Sequence, residues 1–125
     1  MDLQKFASQM GVRVHEVHGL DRWGRYHHPT RRITLRAGMG AVQWRSTLAH
    51  ELGHAHYGHD GDCPKLERQA DAYAVWLLIS PQAWEEATRV HCSPVAVANE
   101  LGVLPRLVEA AADFYSHHRI RSLAP

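Results

Sequence analysis

Residues His50-Glu51-Leu52-Gly53-His54 put two imidazoles and a carboxylate at helical spacing. Positions four apart on an α-helix lie one turn above each other, so His50 and His54 project from one face and can hold a single metal ion while Glu51 faces the same cleft. Such a set suits hydrolysis, with the ion as Lewis acid and the carboxylate as the base that takes a proton from the attacking water. With 11 histidines in 125 residues, the spacing alone is open to chance. A second cluster answers that objection: Glu67 and Asp71 lie 13 and 17 residues after His54, in the run Leu66-Glu67-Arg68-Gln69-Ala70-Asp71-Ala72-Tyr73-Ala74. These two are again four apart and share a helix face. Glu67 then completes a His, His, Glu ligand set. Asp71 accepts the outer ring N–H of a ligand histidine, the bond that fixes tautomer and ring orientation. Without the upstream motif the pair reads as a solvated acidic turn.

A third ligand could also follow closely after the second histidine, six residues on and beyond a glycine that turns the chain back. Those places hold Tyr57 and Asp60, with Gly58 and His59 each one residue out of register. Glu67 is therefore the expected third ligand, and Asp60 or His59 the alternative. Two neutral imidazoles and one carboxylate suit Zn2+ and leave a coordination position open, with Mn2+ or Fe2+ as alternatives. Tyr57, Tyr73 and His91 are candidates for stabilising a tetrahedral oxyanion, each also readable as a packing or surface residue. His15, His18, His27, His28, His117 and His118 lack ligand spacing and read as solvated.

The elements that must position these groups follow from periodicity and from turn residues. Leu3, Phe6, Ala7 and Met10 recur at helical spacing before Gly11, and Val12, Val14 and Val17 then alternate with polar residues as in a half-buried strand. Two further strands are expected near Arg25 to His27 and Arg32 to Arg36, giving a small antiparallel sheet. A helix from Ala41 to Tyr57 carries the histidines, with Ala41, Trp44, Leu48, Leu52 and Ala55 as its apolar face and the metal on the opposite side. Pro64 opens a helix to about Ile79 that carries Glu67 and Asp71, with Leu66, Tyr73, Trp76 and Leu77 as core. Ser80-Pro81 and Ser93-Pro94 start two short helices, and Pro105 opens a last one to about His118. The last two, separated by Gly102, look like a helix-turn-helix. Arg106 is the only Lys or Arg of the helix that would read DNA, against Glu109 and Asp113. Phosphate contacts need several cations, so structural packing is the preferred reading and no specific nucleic-acid binding is expected.

At 45% hydrophobic and 22% charged residues, the chain fits one α+β domain over 1–125, a small sheet on a helical bundle. Net charge is +1 but unevenly spread: Arg22, Arg25, Arg31, Arg32, Arg36 and Arg45 fall in a stretch with no acid, while residues 46 to 125 carry six basic and ten acidic residues. That run reads either as a docking surface for an acidic partner or as a solvated, arginine-rich hairpin. No apolar run approaches a membrane span, the first residues lack a secretion-signal layout, and Cys63 and Cys92 lack zinc-ribbon spacing. A cytoplasmic protein with reduced thiols is expected.

Taken together, these residues resemble the ImmA/IrrE metallopeptidase family. The likeness runs from Gly24-Arg25-Tyr26 through Ile33-Thr34-Leu35 and Ser46-Thr47-Leu48-Ala49-His50-Glu51-Leu52-Gly53-His54. It continues through Gly58-His59 to Glu67, Ala70, Asp71, Tyr73, Ala74 and Leu77-Leu78-Ile79-Ser80-Pro81. Gln69 stands where the family often has Glu, and Tyr73 where it often has Phe. The resemblance implies a minimal gluzincin-like zinc endopeptidase whose substrate is a helix-turn-helix repressor of a phage, mobile element or stress regulon. A metal-stabilised adaptor that binds without cutting, and a DNA-binding regulator using the last helices, are the competing classes. Retention of Glu51 argues against the first, and the weakly basic tail against the second.

Overall fold

The computed structural model describes residues 1–117, and His118, where the sequence places the end of the last helix, lies outside the described residues. In chain order the elements are α1 (Leu3–Gln9), β1 (Arg13–Val17), β2 (Gly24–His27), β3 (Arg32–Arg36), α2 (Ala41–Tyr57), α3 (Pro64–Leu78), α4 (Pro81–Val90), α5 (Pro94–Leu101) and α6 (Pro105–His117). Local chemistry sets several of the boundaries. The carboxylate of Asp2 accepts from the Lys5 backbone N–H at 3.1 Å, and Ser80 Oγ from that of Ala83 at 3.1 Å. Pro64, Pro81 and Pro94 occupy first turns, where a missing N–H costs no hydrogen bond.

The α+β class is as expected, but the sheet is mixed rather than wholly antiparallel. Its order is β1-β3-β2, with β2 antiparallel to β3 (Gly24↔Leu35, His27↔Arg32) and β1 parallel to it (Arg13↔Arg32, Val17↔Arg36). Both connections reverse the chain, so β1 and β3 point the same way. β3 lies at the centre and is the most buried strand: Ile33 and Leu35 are fully buried, whereas Val17 on β1 is exposed. β2 is left as an edge.

Two apolar clusters flank α2. One joins α1, the sheet and α2 through Leu3, Val12, Ile33, Leu35, Leu48 and Leu52, and the other joins α3, α5 and α6 through Val75, Ile79, Val97, Leu107 and Phe114. Every residue of α2 from Ser46 to Ala55 is therefore buried, including the face expected to be open, while Ala41 is exposed. Trp76, expected in the core, is also exposed: it leans on Tyr73 with ring centroids 5.5 Å apart but keeps its other side in solvent.

Three of the six arginines in the run are bonded to backbone carbonyls. Arg31 donates to Met10 O at 2.9 Å and Arg36 to Leu20 O at 2.9 Å, with the Arg36 guanidinium also over the Trp23 ring at 4.4 Å. Arg45 donates to Leu101 O (3.1 Å) and Gly102 O (2.8 Å), and next to it Ser46 Oγ accepts from Leu104 N at 3.1 Å. These bonds fasten the α5–α6 turn onto α2 one turn before His50. Among the described residues no helix is long and apolar enough to cross a membrane.

Candidate metal centre

Close packing of α3 on α2 makes the site. Gly53 permits it: a Cβ there would stand 2.8 Å from both Cα and O of Ala70 and 3.0 Å from Cβ of Tyr73. With the helices this close, Glu67 reaches across to both histidines. Its Oε2 lies 2.7 Å from His50 Nε2 and its Oε1 lies 3.1 Å from His54 Nε2, and the two Nε2 atoms are 3.2 Å apart. The sheet closes in from the other side. A Cβ on Gly24 would meet Thr47 Cγ2 at 2.7 Å and Glu51 Cγ at 3.3 Å, and His28 lies against Gly58. β2 thus runs alongside α2, and Tyr26, on the same side of the strand as Gly24, lines the same cleft as His54.

These contacts fit a divalent ion. The ligand atoms of His50, His54 and Glu67 all lie within 4.8 Å of one another, and two atoms bound to one tetrahedral zinc at about 2.0–2.1 Å stand about 3.3 Å apart, close to the observed Nε2 separation. The outer nitrogens are engaged elsewhere. His50 Nδ1 donates to Asp71 Oδ1 at 2.8 Å, and Arg106 donates to the same oxygen at 2.9 Å. Asp71 therefore stands against the outer nitrogen of His50 and is not among the three residues grouped about the Nε2 atoms.

Electrostatics agree with that geometry. Burial presses the His50 ring down, but its hydrogen bonds to Asp71 and Glu67 outweigh it and raise the group to about 9. That ring turns its Nε2 to Glu67, and a bound cation would take the place of the proton between them. His54 is lowered by burial and by the neighbouring His50. Glu67 is held low, first by the hydrogen bond from His50. Glu51, 7% exposed, is pushed up by burial, against the opposing pull of His50, to about 7.

An open cleft of about 750 Å³ lies over the site, lined by Trp23, Gly24, Arg25 and Tyr26 of β2 and the chain before it, by His50, Glu51, His54 and Glu67, and by Arg106. None of the three oxyanion candidates lines it: Tyr73 is buried under α2, Tyr57 packs on the outer side against His56 and His59, and His91 pairs with Glu100 at 2.8 Å. Asp60 is exposed and outside the ligand group. His59, the other alternative ligand, is buried with its Nδ1 2.9 Å from Nδ1 of His54. His28, read as solvated, is half-buried and bonds Tyr26 Oη at 2.9 Å. Sequence reasoning did not foresee the partners of these two imidazoles, Tyr26 for His28 and His54 for His59. For His59 the available signal was a Gly-His pair directly after the metal helix.

A helix with two metal-competent histidines, a second helix supplying a carboxylate, and an edge strand along the cleft make up the organisation of a metal-dependent peptidase. Residues 7–112 match the family described as the IrrE N-terminal-like domain, and the chain belongs to that family of ImmA/IrrE metallopeptidases. No curated protein and no solved structure matches the chain. Family membership points to a peptidase, and the His50, His54, Glu67 group is compatible with zinc.

Proposed function

We propose that this chain is a zinc-dependent endopeptidase acting in the cytoplasm on a helix-turn-helix repressor of a phage, mobile element or stress regulon. One observation carries the hydrolytic part: the convergence of His50 Nε2, His54 Nε2 and the Glu67 carboxylate beside buried Glu51 at the floor of one cleft. His50, His54 and Glu67 would hold a zinc ion, which would supply Lewis acidity to the attacking water and the scissile carbonyl. Glu51 takes the proton from the attacking water and hands it to the leaving amine. In the metal-free chain burial raises this carboxyl to about 7, which makes it a stronger base than an exposed one.

β2 supplies the means to hold an extended peptide. Trp23 O accepts from Arg36 N at 2.9 Å, so by the alternation of an antiparallel ladder the N–H and C=O groups of Gly24 and Tyr26 point away from β3. A substrate strand pairing with that edge lies along the cleft above Glu51. The repressor as substrate is supported by the family resemblance. The engagement of Arg106 with Asp71 supports reading α5 and α6 as packing rather than as a DNA reader.

The test is co-expression of a candidate repressor with wild type or Glu51→Gln, followed by mass analysis of fragments. Glu51→Gln keeps shape and metal ligands but removes the base, so cleavage should fall at least about a hundredfold with zinc content unchanged. Equal fragment yields from both would reject Glu51 as base. Tight binding of intact repressor by both would turn the reading to an adaptor.

A further inference from the structure

His54 has a partner on its outer side that the ligand set does not account for. Its Nδ1 stands 2.9 Å from Nδ1 of His59, and the far nitrogen of that ring, Nε2, stands 2.8 Å from Oε1 of Gln69. Two like ring nitrogens bond at such a distance only when one carries a proton and the other a lone pair. His54 turns Nε2 towards His50 (3.2 Å) and Glu67 (3.1 Å), so with that nitrogen given to the ion its proton sits on Nδ1. His59 Nδ1 must then accept. That places the proton of the second ring on Nε2, and Gln69 offers a carbonyl oxygen to receive it. The chain of three closes in one direction only, with both rings neutral.

Local structure explains how His59 gets there. Gly58, at φ 67°, ends α2 in the left-handed conformation, and His59 N bonds back to His54 O at 2.9 Å. The turn folds the His59 ring under its partner, with centroids 5.2 Å apart at 68°, and Tyr57 stacks on its other side at 5.4 Å. Gln69 lies on α3 two residues after Glu67, so one helix delivers both the third ligand and the end of this chain.

We infer that His59 and Gln69 are positioning residues for His54, a neutral relay that holds its ring in the tautomer a metal ligand needs. It does for His54 what Asp71 does for His50. The inference rests on the reading of His50, His54 and Glu67 as ligands, and the test keeps the two apart.

Zinc affinity is measured by chelator competition on the whole chain, and ring tautomers by long-range proton–nitrogen NMR of the zinc-loaded protein. Wild type should show the Nδ1–H form of His54 and the Nε2–H form of His59. His59→Ala should weaken zinc by about ten- to a hundredfold. His59→Asn, whose amide oxygen falls where Nδ1 was, should recover wild-type affinity, whereas His59→Gln, whose amide reaches the Nε2 place instead, should not. Gln69→Leu should weaken zinc by less than His59→Ala and leave His59 in mixed tautomers. Undiminished affinity in His59→Ala, equal rescue by Gln and Asn, or a metal-shifted nitrogen on His59 itself would overturn the relay. Should His59→Ala not fold, the Nε2–H form on His54 in wild type, or unchanged affinity in Gln69→Leu, overturns it equally. A wild-type chain that holds no zinc overturns the ligand reading itself, and the relay with it.

Discussion

Gly53→Ala separates helix propensity from tertiary fit. In the middle of a helix alanine is ordinarily better than glycine by about 0.8–1 kcal/mol, so propensity alone calls for a more stable protein. In this fold the added Cβ falls 2.8 Å from the Cα and the carbonyl oxygen of Ala70, main-chain atoms that cannot swing aside as a side-chain end could. Opening 2.8 Å to an ordinary 3.4 Å contact moves α3 outward by about 0.6 Å. Overpacking of this kind costs about 1–3 kcal/mol, which cancels or exceeds the propensity gain. The larger consequence falls on the metal. Glu67 is carried on the same helix less than one turn before Ala70, and a ligand set tolerates displacements of only about 0.2 Å. A site loosened to that extent loses about ten- to a hundredfold in affinity, or about 1.4–2.7 kcal/mol of zinc-linked stability at a fixed excess of zinc. Thermal unfolding with chelator and with excess zinc reads both quantities: the variant should melt no higher than wild type without zinc and should gain much less on adding it. A Gly53→Ala protein that melts higher and keeps the full zinc-induced rise would refute the close-approach argument.

Glu67→Ala should release zinc more completely than Asp71→Ala, because the first removes a ligand atom and the second only the acceptor of His50 Nδ1; the reverse order in metal analysis after dialysis would exchange their roles. For pH, the folded value of His50 is raised from 6.5 to about 9, so its contribution to the zinc-free protein is complete below about pH 6.5 and is lost as pH climbs through about 9. That displacement corresponds to at most about 3 kcal/mol, and to less in practice because Glu67 is 40% exposed and screened. Glu51, raised from 4.5 to about 7, acts with the same sign at lower pH. Zinc affinity should climb over the range in which the zinc-free melting temperature falls, since the His50 proton must leave first; a melting temperature flat across that range would count against the proton on His50.

Much of the site was legible because its spacing is local. Two histidines four apart, two acids four apart, Gly58 and Pro64 between them and the Ser-Pro pairs beyond fix which residues share a helix face and where helices begin, and these signals lie within a turn of what they determine. The mixed sheet was not legible in the same way. Nothing within β1 or β3 states which edge a strand takes; that follows from burying Ile33 and Leu35 against α2, which is known only once the layers are assembled. The place of Arg45 was not legible for a similar reason. Charge without acid reads as a surface, yet Arg45 is satisfied by carbonyls 56 and 57 residues further on, and a backbone acceptor leaves no mark in composition. His59 was weighed as a ligand because ligand spacing is the question a sequence can be asked. A histidine that orients another one depends on a left-handed turn and on a glutamine from a different helix.

The C-terminal helix pair belongs to the metal centre by its bonds. Arg45 and Ser46 hold the α5–α6 turn at the start of the buried stretch of α2, and one turn later His50 meets Asp71, whose same oxygen takes Arg106 from α6. Asp71 is thereby fixed from two sides, by the ring it orients and by a guanidinium that neutralises it, and α6 also covers α3 with Leu107, Val108, Ala111 and Phe114. Moving α6 away would uncover that apolar face and part the Asp71 carboxylate from Arg106. The family match extends to residue 112 and so takes in most of α6, whose Arg106 lines the cleft together with His50 and Glu51.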